Sequence, residues 1–172
     1  HGSVGAGDLL LRLLALAALA ALVAAGTHRA RRLIEVSGTD TLTGLPNRTW
    51  LLQRMPQPLE SVQTDGGGLT VALIDLDHVR RINHDRGHQA GDRALLALAS
   101  ALRTFVEGGD WLVRLAGGEF LLLVRQPVGA TWERLDALRR LFSERAIDAE
   151  RGLPLHATFS AGLASFPHDG RD

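Results

Sequence analysis

The chain has 172 residues and a mass of 18.5 kDa, the size of one ordinary domain with a short appendage. At 45% hydrophobic and 22% charged it can bury a core, which excludes a disordered chain or a fibrous repeat. Nineteen basic residues, all Arg, balance nineteen acidic ones, and Cys is absent; this excludes a general nucleic-acid binder, lysine-amine chemistry, disulfides, thiol catalysis and Cys-based zinc sites.

His1-Gly2-Ser3 reads as the remnant of an expression tag. From Leu9 to Ala25 the chain is apolar except for Arg12, with no favoured helical face, so a helix here is buried in protein or in lipid. Seventeen such residues reach about 25 Å, slightly short of a bilayer core of roughly 30 Å. Arg29, Arg31 and Arg32 follow as the basic flank expected on the cytoplasmic side of a span. The run reads either as the end of a transmembrane helix or as a helix buried in a dimer seam. Residues 1–38 are therefore expected to hold the tag remnant, this helix and a connector.

The globular part opens at Thr39. Gly44 and Pro46 mark a turn, and Asn47 caps a helix running to about Met55, stopped by Pro56 and Pro58. Leu69 to Asp75 has the length and apolarity of a central strand. Helices are expected from Asp77 to His84 and from Gln89 to Val106, the second with Leu95, Leu98 and Leu102 on its core face. Trp111–Leu115 and Glu119–Arg125 read as two strands of a hairpin with a glycine turn. Thr131 to Ile147 is an amphipathic helix, and Leu155 to Phe166 a last strand. Helical crossovers plus one hairpin imply an α/β (α+β) fold with a mixed central sheet and flanking helices.

The densest polar signal follows the first strand. Asp75 and Asp77 stand where α/β folds tend to bind ligands, and a carboxylate with a backbone carbonyl suits Mg²⁺. For Asp77 the simpler reading is a helix cap. Asp75 ends a run expected to be buried, where an unpartnered carboxylate is costly. Asn83 and Asp92 together can read a guanine edge; taken singly, Asn83 ends one helix and Asp92 solvates the next. Gly117 and Gly118 permit close backbone approach to a phosphate, or simply make a hairpin.

In combination these segments are more specific. Asp40-x-Leu42-Thr43-Gly44-Leu45-Pro46-Asn47-Arg48, Asp75-Leu76-Asp77-x-x-Arg80-x-Ile82-Asn83, Gly87-His88-x-x-Gly91-Asp92 and Arg114-Leu115-Ala116-Gly117-Gly118-Glu119-Phe120 occur in the order of the GGDEF domains, which the chain resembles from Thr39 to about Asp169. That family has a palm-like, nucleotidyl-cyclase-like sheet, and condenses two GTP into the bacterial second messenger cyclic di-GMP with Mg²⁺ between two facing domains. The resemblance implies that Asn83 and Asp92 hold guanine and that Leu95 lines the base pocket. It puts Arg80 near the phosphates, in place of the family's usual Lys, with Leu76, His78, Val79, Gly117 and Gly118 around the nucleotide and Asp75 on the metal.

The departures are as informative. The signature Gly-Gly-Asp/Glu-Glu-Phe is here Ala116-Gly117-Gly118-Glu119-Phe120, so Gly118 stands where the family places a metal-binding acid. Two-metal phosphoryl chemistry needs closely placed carboxylates. Only a slip of the hairpin register, which would also turn the strand's faces over, brings Glu119 into that place. The family's inhibitory product site has Arg-x-x-Asp; here Glu107 replaces the Arg ahead of Asp110, and that site is expected to be lost. The usual C-terminal helix and strand are expected to be missing from 39–172. The expectation is a degenerate GGDEF domain that binds cyclic di-GMP or GTP at its altered active site, with Mg²⁺ only alongside GTP. The alternatives are a working diguanylate cyclase and a non-binding dimerisation module. A homodimer, no nucleic-acid partner and a cytoplasmic domain tethered to the bacterial inner membrane through Leu9–Ala25 complete the expectation.

Overall fold

The structure is a computed structural model and describes residues 38–55, 68–147 and 154–169. The apolar run Leu9–Ala25 and the basic flank after it lie outside them. In chain order the elements are α1 (Arg48–Arg54), β1 (Leu69–Leu76), α2 (Val79–Arg86), α3 (His88–Arg103), β2 (Trp111–Ala116), β3 (Glu119–Val124), α4 (Val128–Glu144) and β4 (Phe159–Phe166). No helix among the described residues is long and apolar enough to cross a membrane.

The four strands form one sheet in the order β2-β3-β1-β4, and β1 is central as expected. Every pairing is antiparallel, where the helical crossovers imply a sheet of mixed sense. The crossovers do return the chain in the same direction, since β2 runs with β1 and β4 runs with β3. Each return skips one position, however, so an opposed strand always lies between the two parallel ones. The α/β class stands, with helices packed on an antiparallel sheet.

Alternation along β1 sorts the faces. Thr70, Ala72, Ile74 and Leu76 are buried, and the last three meet Phe120 and Leu122 of β3, Leu98 and Leu102 of α3, and Leu135 and Phe142 of α4 in the main core. Phe120 is fully buried, a contribution of about 1.5–3 kcal/mol on transfer grounds. On the opposite face Leu69 and Leu123 form a smaller cluster with Met55, Trp111 and Phe166. There α1 is anchored by an edge-on contact of Trp50 with Trp111, with ring centroids 4.8 Å apart. Asn47 caps α1 as its sequence suggests, accepting from the Trp50 amide at 3.0 Å.

Three local expectations change. Asp77 does not cap a helix: α2 starts at Val79, and the residue before it is His78, in the left-handed region at φ 58°. The Asp77 carboxylate instead accepts from the Thr158 and Ser160 hydroxyls at 2.6 and 2.8 Å, clasping β1 to the chain entering β4. Asp75 is exposed, because its odd position in β1 turns it to the open face while Ile74 and Leu76 point into the core. Asn83 does not end its helix, which continues to Arg86 and stops at Gly87 (φ 81°).

Candidate functional site

An open cleft of about 590 Å³ lies between the end of β1, the start of α2 and the β2–β3 turn. One wall is Asp75, Leu76, His78, Val79, Arg80 and Arg81; the other is the turn from Ala116 to Glu119. Local physics places both walls. The strand ends at Leu76, and the left-handed turn at His78 swings the chain so that the first turn of α2 aims Arg80 and Arg81 at the cleft. Opposite, Gly117 takes φ 50°, a conformation that costs a residue with a Cβ roughly 1 kcal/mol. Its carbonyl accepts from Arg114 at 2.8 Å, and the Gly118 carbonyl accepts from the Leu76 amide at 3.0 Å. The turn is thus tied to both neighbouring strands.

The register fixes which side chains face the ligand space. Glu119 pairs with Asp75, and Phe120 pairs with Ile74. Phe120 therefore points into the core and Glu119 to the open face, beside Asp75, while the β2–β3 ladder shifts register by one residue between Arg114 and Ala116. Gly118 closes the same corner. A Cβ on Gly118 would stand 2.8 Å from Asp75 Oδ1 and 3.4 Å from the Leu76 amide nitrogen. Any side chain at 118 would lie directly on the Asp75 carboxylate, yet Gly118 offers no donor atom beyond its backbone.

This donor set bears on Mg²⁺, the ion the family employs. Asp75 and Glu119, opposed across β1 and β3, can serve one Mg²⁺ that takes its other ligands from water and phosphate. No group of three His, Asp or Glu side chains able to hold a metal ion occurs among the described residues. The residues present fit one ion and not the pair that two-metal phosphoryl transfer needs. Two carboxylates and the two guanidiniums of Arg80 and Arg81 leave the cleft formally neutral, compatible with a phosphate.

The second part of the site is the corner where α2 meets α3. Gly87 ends α2 with its amide donating to the Asn83 carbonyl at 3.0 Å, and α3 begins at once with His88. The corner stacks Asn83 against the first turn of α3, and Asp92 is exposed nearby along that helix. Asn83 Oδ1 is buried without a hydrogen-bond partner among the described residues. Leu95 is 5% exposed and belongs to the main core. Asn83, Asp92 and Leu95 do not line the cleft walled by Leu76, His78, Val79, Arg80, Gly117 and Gly118.

Arg81 and Ala116 also line the cleft and have no counterpart in the sequence reading. Arg81 precedes Ile82 on an ordinary helical stretch, just after the left-handed residue His78. Away from the cleft, Asp110 accepts from the Glu107 amide at 3.1 Å and the Arg125 amide at 3.2 Å, and Glu107 pairs with Arg134 at 3.5 Å.

The protein-family model described as diguanylate cyclase, GGDEF domain, matches residues 37–172. The chain belongs to the GGDEF domain family. Among curated relatives it is 40% identical over 129 residues to the diguanylate cyclase DgcP of Pseudomonas aeruginosa, covering 74% of this chain and 19% of that protein. It is 34% identical over 145 residues to the cyclic di-GMP phosphodiesterase NbdA of the same organism, covering 83% of this chain and 18% of that protein. The chain thus spans about a fifth of the length of these relatives. Among solved structures, the GGDEF domain of DgcB from Caulobacter crescentus, crystallised in complex with cyclic di-GMP, superposes with a TM-score of 0.71 at 26% identity, covering 75% of each chain. The chain is accordingly a domain of the cyclic di-GMP signalling family.

Proposed function

We propose that this domain, 39–172, acts in cyclic di-GMP signalling by binding a guanine nucleotide, most readily cyclic di-GMP, with little or no cyclase activity. The observation that carries this reading is the bare backbone of Gly118 against the Asp75 carboxylate, 2.8 Å from where a Cβ would stand. A carboxylate at that place would complete a cluster with Asp75 and Glu119, and losing one metal-holding acid lowers phosphoryl-transfer rates by orders of magnitude. The base-reading pair Asn83 and Asp92 is retained, and Arg80 and Arg81 supply cations for phosphate in the formally neutral cleft. The complex of the DgcB domain with cyclic di-GMP supports that ligand as the one to test first.

Binding at the family's inhibitory site is not part of this reading. Glu107 stands in place of the guanidinium that would clamp the product, and Asp110 is already engaged by two backbone amides. A second reading, a slow but working diguanylate cyclase, draws on the opposed pair Asp75 and Glu119, which can serve one Mg²⁺ with GTP. Calorimetry with cyclic di-GMP, together with a turnover assay on GTP and Mg²⁺, separates the two. Saturable binding without product supports the first, and brisk formation of cyclic di-GMP overturns it. Asn83→Ala or Asp92→Ala is expected to abolish the binding.

A further inference from the structure

Gly91 lies buried in the first turn of α3. Glycine is a poor helix former, second only to proline, and Gly91 is not among the residues with positive φ, so neither propensity nor backbone geometry asks for it. Its neighbour does. A Cβ on Gly91 would stand 1.9 Å from Asn83 Oδ1, 2.9 Å from Cγ and 3.4 Å from Nδ2, so the three nearest atoms all belong to one amide. The amide oxygen that presses on Gly91 is buried, with no hydrogen-bond partner among the described residues. An added methyl would push the amide aside before it moved any backbone.

We infer that Gly91 is a positioning residue for base recognition, acting through Asn83: the missing Cβ is the seat of the amide that faces the guanine. This rests on the guanine-binding reading above and adds to it the residue that sets the amide's place. Asn83 is fixed from two sides, its carbonyl by the Gly87 amide at the end of α2 and its side chain by the surface of α3. A small displacement of an amide that must meet a base edge loses its hydrogen bonds, and discrimination between bases falls with them.

Four forms of the full chain decide the matter: wild type, Gly91→Ala, Asn83→Ala and the double variant. Each is measured for urea stability and for affinity to GTP and to ATP. Gly91→Ala is expected to weaken GTP binding about tenfold or more and to lower the ratio of GTP affinity to ATP affinity below that of wild type. In stability, Gly91→Ala is expected to lower the urea midpoint in the wild-type background and to raise it in the Asn83→Ala background, where the space is open and alanine is the better helix former. A glycine needed only for packing would lower the midpoint in both backgrounds and leave the base ratio unchanged, and that result overturns the inference. If Gly91→Ala alone fails to fold, the double variant against Asn83→Ala still decides, a lower midpoint in the double variant counting against it. Wild-type protein that binds no guanine nucleotide overturns the functional reading and the recognition role of Gly91 with it. Wild type that binds, beside a Gly91→Ala variant of full affinity and ratio, overturns this inference alone.

Discussion

Arg114 holds Asp40 and the β2–β3 hairpin in one grip: one guanidinium nitrogen sits 2.8 Å from Asp40 Oδ1, and the other donates to the Gly117 carbonyl at 2.8 Å. Asp40 in turn accepts from the Thr43 amide at 2.8 Å and the Thr43 hydroxyl at 2.6 Å, and Arg103 donates to the Thr43 carbonyl. The loop that opens the domain is thereby fastened to the turn that walls the cleft. With side chains only 11% and 23% exposed, Arg114 and Asp40 are screened far less than a surface pair. Arg114→Ala is expected to lower stability by about 2–3 kcal/mol in urea titration, because it leaves Asp40 and the Gly117 carbonyl short of donors.

The pH dependence follows from the same carboxylate. Burial pushes the Asp40 pKa up, but the hydrogen bonds from the Thr43 side chain and backbone and from Arg114, with the charge of Arg114, together hold it below the ordinary carboxylate value. A group whose pKa is lower folded than unfolded stabilises the fold above the unfolded value of about 3.9, and that stabilisation is lost as pH falls through the folded value. Asp136 is also held low, by Arg139 first and then Arg140, and contributes in the same acid range. The Asp40 share is therefore read as a difference: urea midpoints between pH 6 and pH 2 should fall less steeply for Asp40→Asn than for wild type.

Restoring an acid beside Asp75 should restore metal affinity. Gly118→Asp introduces a Cβ 2.8 Å from the present position of Asp75 Oδ1, the end of a flexible side chain that can swing aside, and Gly118 is not among the positive-φ glycines. The variant is expected to bind Mg²⁺ in the presence of GTP at least about tenfold more tightly than wild type, measured by titration calorimetry. No gain in metal affinity would show that residue 118 does not face the metal position.

Asp77 is expected to matter for β4 and not for α2. Asp77→Ala removes acceptors from Thr158 and Ser160 and should cost about 1–2 kcal/mol. Hydrogen exchange should report the loss at the amides of β4, with those of α2 unchanged. Faster exchange confined to α2 would restore the capping role.

Local features were legible in the sequence because their causes are local. Asn47 directly after Gly-Leu-Pro announced its own cap, and Gly117-Gly118 between apolar strands announced the hairpin. Phe120 fixed the register of that hairpin, since only one phase of alternation buries it. What escaped depends on partners distant in sequence or on a single unusual dihedral angle. Asp77 binds residues 81 and 83 positions later, and no window around it contains them. Arg81 lines the cleft after the left-handed turn at His78, a conformation uncommon for any residue with a Cβ and one that the local sequence does not announce. Asp75 was misplaced for another reason: an unbroken apolar run hides alternation, and the odd positions of β1 face outward as surely as the even ones face in. The sense of the sheet failed because a helical crossover determines direction but says nothing about which strand comes to lie between.

The clasp from Asp77 to Ser160 joins points 83 residues apart. The β1 strand thus leaves the ribosome well before β4, and one of its edges stays bare until β4 emerges. Translation must reach β4 before these four strands can close into one sheet, and pairings of such long range are slow to find. A nascent chain halted before residue 160 would expose that edge to other polypeptides, and the hydroxyl-carboxylate latch marks the moment at which the hazard ends.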